Sequence, residues 1–176
     1  MIDTRNNPIV ISGPSGSGKS ELIEYIEKEY PTFLEATGIT TRAKREIEVG
    51  RMYFVSKAEF EKLKEYHLMF NVGYSSAKEI KKMYEDTTMI YLMPPTKEEL
   101  LRRLGDRGEE RYLLGIQETI NYALKYDYLL LSLTNDMKTT TDDFMDIVNQ
   151  KEESKQKRLI LAKNKDFITS FYKGRH

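Results

Sequence analysis

The chain contains no cysteine, so neither disulfides nor thiolate metal sites are available to it. Its two histidines, His67 and His176, are too few for a histidine-built zinc centre. No apolar run approaches the ~18 residues of a membrane span. Lysine plus arginine equals aspartate plus glutamate, 28 of each, so there is no net charge to draw the whole molecule toward nucleic acid or an anionic membrane. The first apolar stretch starts at Pro8, which leaves no room ahead of it for a signal peptide. These absences predict a cytoplasmic protein that needs neither membrane nor nucleic acid as a partner. At 176 residues and 39% hydrophobic content, one domain with a real core is expected.

What is present is concentrated in residues 13–20, GPSGSGKS. They fit G-x-x-x-x-G-K-[ST], the phosphate-binding P-loop, without a mismatch. Gly13, Gly16 and Gly18 allow backbone N–H groups to turn inward on a polyphosphate, with Ser15 and Ser17 between them. Lys19 is placed to reach the β- and γ-phosphates of ATP, and the Ser20 hydroxyl to ligate Mg²⁺. Pro8-Ile9-Val10-Ile11-Ser12 before the loop suits a buried parallel strand. Leu22, Ile23, Ile26 and Tyr30 after it mark one helical face, which Pro31 ends. Strand, glycine-rich loop and helix form the setting in which this motif binds phosphate.

Other elements follow from caps and apolar runs. Capping boxes at Ser56/Glu59, Ser76/Glu79 and Thr96/Glu99 predict helix starts. Further helices are expected over about 109–125 and 142–150. Short apolar runs at 33–37, 68–72, 89–93 and 128–133 predict strands, which with 9–12 makes about five. Strands alternating with helices give an α/β fold: a P-loop kinase-type parallel sheet flanked by helices. Ligands in such sheets sit beyond the C-terminal strand ends, so 37–45, 71–75 and 134–136 matter beside the P-loop. Arg42 and Arg45, three apart beyond the second strand, suit a second phosphate, because guanidinium forks bind phosphate bidentately. Gly105, Asp106 and Gly108 around Arg107 read as a hinge for a closing segment.

Over roughly residues 8–150 the chain resembles guanylate kinase. The likeness rests on IVISGPSGSGKS, on TTRAKRE followed by YFVS, on PPTKEELLRRLGDRG and on YDYLLLSLTND. It implies a phosphotransferase that moves the γ-phosphate of MgATP to GMP or dGMP. By resemblance, Arg42 and Arg45 hold the acceptor phosphate, with Tyr53 as a third contact. Arg103 and Arg107 match arginines at the base of a lid that closes over the phosphates in transfer. Asn135 matches the segment beside the adenine. The expected organisation is a guanylate kinase-like domain over 1–150, with a reduced acceptor region at about 38–66 and a lid at about 105–115.

The chain also departs from the family. Guanylate kinases carry a small antiparallel sheet that binds guanine, and here the sequence passes almost directly from Glu65-Tyr66 to residues 68–72. Those residues are either a remnant of that sheet or a strand of the core. The core placement is preferred, because a missing central strand leaves backbone groups unpaired. Either way the guanine-binding glutamate is gone. In the preferred alignment an aspartate becomes Asn71, and Asp86 stands at the wrong end of its strand to replace it. Gly38 replaces a serine near the acceptor phosphate. A second lid arginine is lost near Gly115, with Arg111 a turn earlier.

Three functions therefore stay open: a nucleoside monophosphate kinase for GMP/dGMP, a P-loop kinase with an altered acceptor, and a degenerate module that binds nucleotide or a protein without turnover. Residues 151–176 carry a net +5 against −5 for the rest, and form an expected basic helical extension. Packing on the acidic body is favoured for it, with a homodimer or nucleic-acid contact as the alternatives.

Overall fold

A computed structural model of the chain describes residues 7–36, 39–40, 53–54, 56, 58 and 62–149. Its main sheet has five strands: β1 (Ile9–Ser12), β2 (Phe33–Glu35), β5 (His67–Asn71), β6 (Thr88–Met93) and β7 (Tyr128–Leu131). Their order is β2-β5-β1-β6-β7, and every pairing is parallel. A second, two-stranded sheet joins β3 (Ile39–Thr40) to β4 (Tyr53–Phe54). Among the described residues, the continuous α-helices are α1 (Lys19–Glu29), α2 (Tyr74–Met83), α3 (Lys97–Leu104), α4 (Gly108–Tyr122) and α5 (Met137–Val148).

The buried apolar runs read in the sequence are the inner strands. Ile9, Val10 and Ile11 of β1 and Met89 through Met93 of β6 are all buried. Such runs suit strands covered on both faces, whose side chains cannot alternate with solvent. Leu22, Ile23 and Ile26 of α1 join this core, as do Phe144, Ile147 and Val148 of α5. A smaller cluster of Leu100, Leu104 and Tyr112 lies between α3 and α4. Residues 67–71 pair with β1 on one side and β2 on the other, Ile9 opposite Met69 and Phe33 opposite His67. The core placement of this segment is thus the one observed, and it satisfies the backbone groups of both neighbours.

Two element starts differ from expectation. Ser76 does not cap its helix, because α2 begins at Tyr74 after an N-cap at Gly73 that makes no side-chain bond. The last helix among the described residues starts at Met137, five residues before Asp142. Asp136 caps it, its carboxylate accepting from the Thr139 amide at 3.0 Å. The run Thr139-Thr140-Thr141 has little intrinsic helix preference, but Thr140 and Thr141 are buried and tertiary packing decides. The Thr96 cap is as expected, its hydroxyl accepting from the Glu99 amide at 3.1 Å. Glu59 of the Ser56/Glu59 box and residues 150–176 lie outside the described residues.

Removing the α3 cap leaves an end amide without its partner. Thr96→Ala is expected to lower the unfolding free energy by about 1 kcal/mol, with Thr96→Ser close to the parent. Urea denaturation checks this, and an unchanged midpoint in Thr96→Ala would count against the cap.

Candidate active site

β1 is the middle strand, and its chain leaves the sheet at Ser12 straight into the glycine-rich loop. At Gly13 φ is 152°, and a Cβ there would lie 2.2 Å from the Leu92 carbonyl oxygen. At Gly18, the N-cap of α1, φ is 91° and a Cβ would lie 2.8 Å from Ser132 Oγ. Only glycine meets both conditions, a left-handed backbone and a close approach. The Ser17 amide donates to the Pro14 carbonyl at 3.1 Å, which closes the turn. The loop also has neighbours beneath it. Leu104 Cδ2 stands 3.2 Å from where a Gly16 Cβ would be, and Pro14 Cβ 2.8 Å from that of Gly115 on α4.

Lys19 lies inside this turn. Its Nζ donates to the carbonyls of Gly13 at 2.7 Å and Pro14 at 2.9 Å, and to Ser17 Oγ at 3.4 Å. Burial pushes the ammonium below its usual pKa, and the charge of Glu118 partly offsets this. Glu118 itself, on α4, is pushed above the usual carboxylate value by burial, against the pull of Lys19. Glu118 stands three residues after Gly115, so both belong to the helix face turned to the loop. Nothing in the one-dimensional pattern singles out Glu118, since a lone acidic residue in a helix is ordinarily solvated.

A cavity of about 990 Å3 opens above the loop. Ser15, Gly16, Gly18, Lys19 and Ser20 form one wall, and Ser132 to Lys138 face them, Asn135 included. Asn135 takes a left-handed φ of 56°, which asparagine tolerates better than most residues. Gly13 and Ser17 lie buried below the floor. Arg103 reaches the cavity from α3 but is held by protein groups on every side: Glu99, Ser17, Ser132 and Thr134. Glu99 also takes a forked pair of bonds from Arg102, at 2.7 and 2.8 Å. Hydrogen bonds from Arg102, Thr134 and Arg103 hold its carboxyl far below the usual range. Thr134 lies in the 134–136 segment expected at the site, whereas Arg102, Glu99 and Ser132 were not among the expected residues. The spacing of Glu99 and Arg103, four apart on one helix, is the signal that marks them.

The loop residues and Asn135 are therefore brought together. Arg42 and Arg45 lie outside the described residues, and of Tyr53 and Arg107 the backbone alone is described. Asn71 ends β5, beside β1, with Ile11 opposite it in the register. Arg111 is exposed on α4, and Asp86 precedes β6 at the opposite end from the loop.

For metal, the described residues contain no group of three or more His, Asp or Glu side chains able to form a cage. Ser20, exposed in the first turn of α1, offers a single hydroxyl at the cavity. That donor set fits a small hard cation that arrives with nucleotide phosphates and keeps its waters, as Mg²⁺ does.

The charge of Lys19 near Glu118 has a measurable consequence. The Glu118 carboxyl is expected to titrate above 4.5, and Lys19→Met, which removes the neighbouring cation, to raise it further. Because the folded value is raised, this group's contribution to stability is complete below 4.5 and is lost as pH rises through the folded value. Carboxyl-detected NMR titration checks it, and a lower value in Lys19→Met would contradict this influence of Lys19.

Comparisons with known proteins agree with this geometry. The guanylate kinase family model matches residues 5–76. The guanylate kinase of Baumannia cicadellinicola subsp. Homalodisca coagulata is 32% identical over 181 residues, covering 79% of this chain and 87% of that one. A crystal structure of guanylate kinase from Anaplasma phagocytophilum superposes with a TM-score of 0.52 at 23% identity, covering 84% of this chain and 86% of the other. Shikimate kinase from Acinetobacter baumannii, in complex with shikimate, has the same fold at a TM-score of 0.51 and 14% identity, covering 83% and 94%. With a P-loop at the end of the middle strand and a relative of this similarity across most of its length, this chain belongs to the guanylate kinase family of P-loop phosphotransferases.

Proposed function

We propose that the protein is an ATP-dependent nucleoside monophosphate kinase that transfers the γ-phosphate of MgATP to GMP or dGMP. The observation that carries this reading is the intact loop of backbone amides after β1, with the Lys19 ammonium bonded to its Gly13 and Pro14 carbonyls. In the reading, those amides and the α1 N-terminus hold the donor phosphates. The Lys19 ammonium leaves the Gly13 and Pro14 carbonyls for phosphate oxygens. Its charge then meets an anion in place of neutral carbonyls. Ser20 holds the metal, and Asn135 lies beside the adenine. Magnesium, when bound, neutralises charge on the β- and γ-phosphates.

On the acceptor side, Arg42, Arg45 and Tyr53 hold the monophosphate. Arg107, beyond Gly105, closes over the group in transfer. An oxygen of the acceptor phosphate attacks the γ-phosphorus in line, and ADP leaves. Little covalent help is needed from the protein, because holding two anions in line and matching the developing charge supplies most of the acceleration.

A second reading, a changed acceptor, is favoured by Asn71. An amide ends the strand beside β1, and it cannot supply a carboxylate's charge. An ADP-release assay over GMP, dGMP, AMP, UMP, CMP and dTMP decides between them. Turnover confined to GMP and dGMP is the expected result. A different acceptor would establish the second reading, and no turnover with ATP still bound would leave a binding module. Arg42→Ala is expected to raise KM for the monophosphate by about tenfold or more, with MgATP affinity unchanged. Equal loss of both would contradict the acceptor role.

A further inference from the structure

Arg103 has spent every hydrogen-bond donor it owns. Its Nε donates to Glu99 Oε1 at 2.7 Å. One terminal nitrogen donates to the Ser17 carbonyl at 3.3 Å and to Ser132 Oγ at 3.0 Å. The other donates to the Ser132 carbonyl at 2.9 Å and to Thr134 Oγ1 at 3.2 Å. A guanidinium carries five N–H groups, and all five are engaged. Its charge is matched as well, since Glu99 lies against it with both side chains largely buried, at 13% and 15% exposure.

These partners come from three elements that meet at the donor site. Glu99 is on α3, Ser17 is the buried turn of the phosphate loop, and Ser132 and Thr134 follow β7. Gly18 closes the contact: a Cβ there would meet Ser132 Oγ at 2.8 Å and the Arg103 guanidinium at 3.6 Å. Moving Arg103 onto a phosphate would release Ser17, Ser132 and Thr134 together and leave Glu99 a partner short.

We propose that Arg103 is a positioning residue, a fixed strut that holds the phosphate loop at Ser17 to the end of β7, and not an arginine that closes on the transferred phosphate. It sets the distance between the two walls of the nucleotide cavity before any ligand arrives. Closure then begins beyond the strut, at Gly105, where φ is 51° and a Cβ would meet no atom of the described residues within 4 Å. The strut rests on the reading of this cavity as the ATP site.

The fork is what the strut needs, so charge without the fork should fail. In Arg103→Lys, the Kd values of MgATP and MgADP are expected to rise together, by about tenfold to a hundredfold. KM for the monophosphate and kcat at saturating ATP should stay near the parent values. Hydrogen exchange at Ser17 to Ser20 should speed up in the nucleotide-free protein. An arginine acting on the transferred phosphate gives the reverse: kcat falls, ATP suffers more than ADP, and exchange without nucleotide is unchanged. Any one of these three results overturns the proposal. If Arg103→Lys does not fold, Thr134→Val with Ser132→Ala removes acceptors from the same fork and should move exchange and both affinities in the same direction. A parent protein that binds no ATP would overturn the kinase reading instead, while exchange in the nucleotide-free variants would still decide whether the strut exists.

Discussion

Residue 13 has no room for a side chain, and the path of the glycine-rich loop depends on that. The backbone at Gly13 passes so close to the Leu92 carbonyl that β1 and β6 together fix where the phosphate loop begins. Further contacts fix the rest of its path: Leu100 and Leu104 under Gly16, Gly115 of α4 against Pro14, and Ser132 against Gly18. The loop is bounded by packed elements on these sides, so in the proposed reading its amides are set in place before a ligand arrives. Preorganised dipoles of this kind need not be reoriented at the moment of reaction, which is the main source of their catalytic value.

The same packing places charges. Lys19 is drawn into the turn, where burial disfavours its charge and leaves it with carbonyls and the influence of Glu118. In the proposed reading a polyphosphate supplies what that ammonium lacks. Arg103 stands in the opposite condition, its charge already matched by Glu99 and its fork filled. Two cations within one site therefore differ in readiness: one is held by neutral groups that a phosphate can replace, the other by a carboxylate and a full set of acceptors.

The strand-loop-helix unit was legible because a buried strand must be apolar throughout and a phosphate loop must be rich in glycine. Residues 9–12 and 13–20 obey both rules. The place of residues 67–71 was legible from an absence, since without them β1 and β2 would face each other across unpaired groups. The start of α5 was not, because Asp136 caps through Thr139 where a capping box would have a Glu or Gln, and buried threonines carry the first turn. The condition of Arg103 was not legible either. Its partners at Ser17, Ser132 and Thr134 lie 86, 29 and 31 residues away, and nothing in a one-dimensional pattern brings them together. The proposed acceptor side rests on Arg42 and Arg45 in the sequence alone, and both lie outside the described residues.

The central claim is that the loop after β1 is the donor site, with Lys19 and Ser20 as its chemical groups. Titration calorimetry of MgATP into the parent protein and into the Lys19→Ala, Ser20→Ala double variant tests it most directly. The account predicts saturable binding to the parent and none measurable in the variant, with the fold of both verified by circular dichroism. Unchanged MgATP affinity in a folded double variant would contradict it.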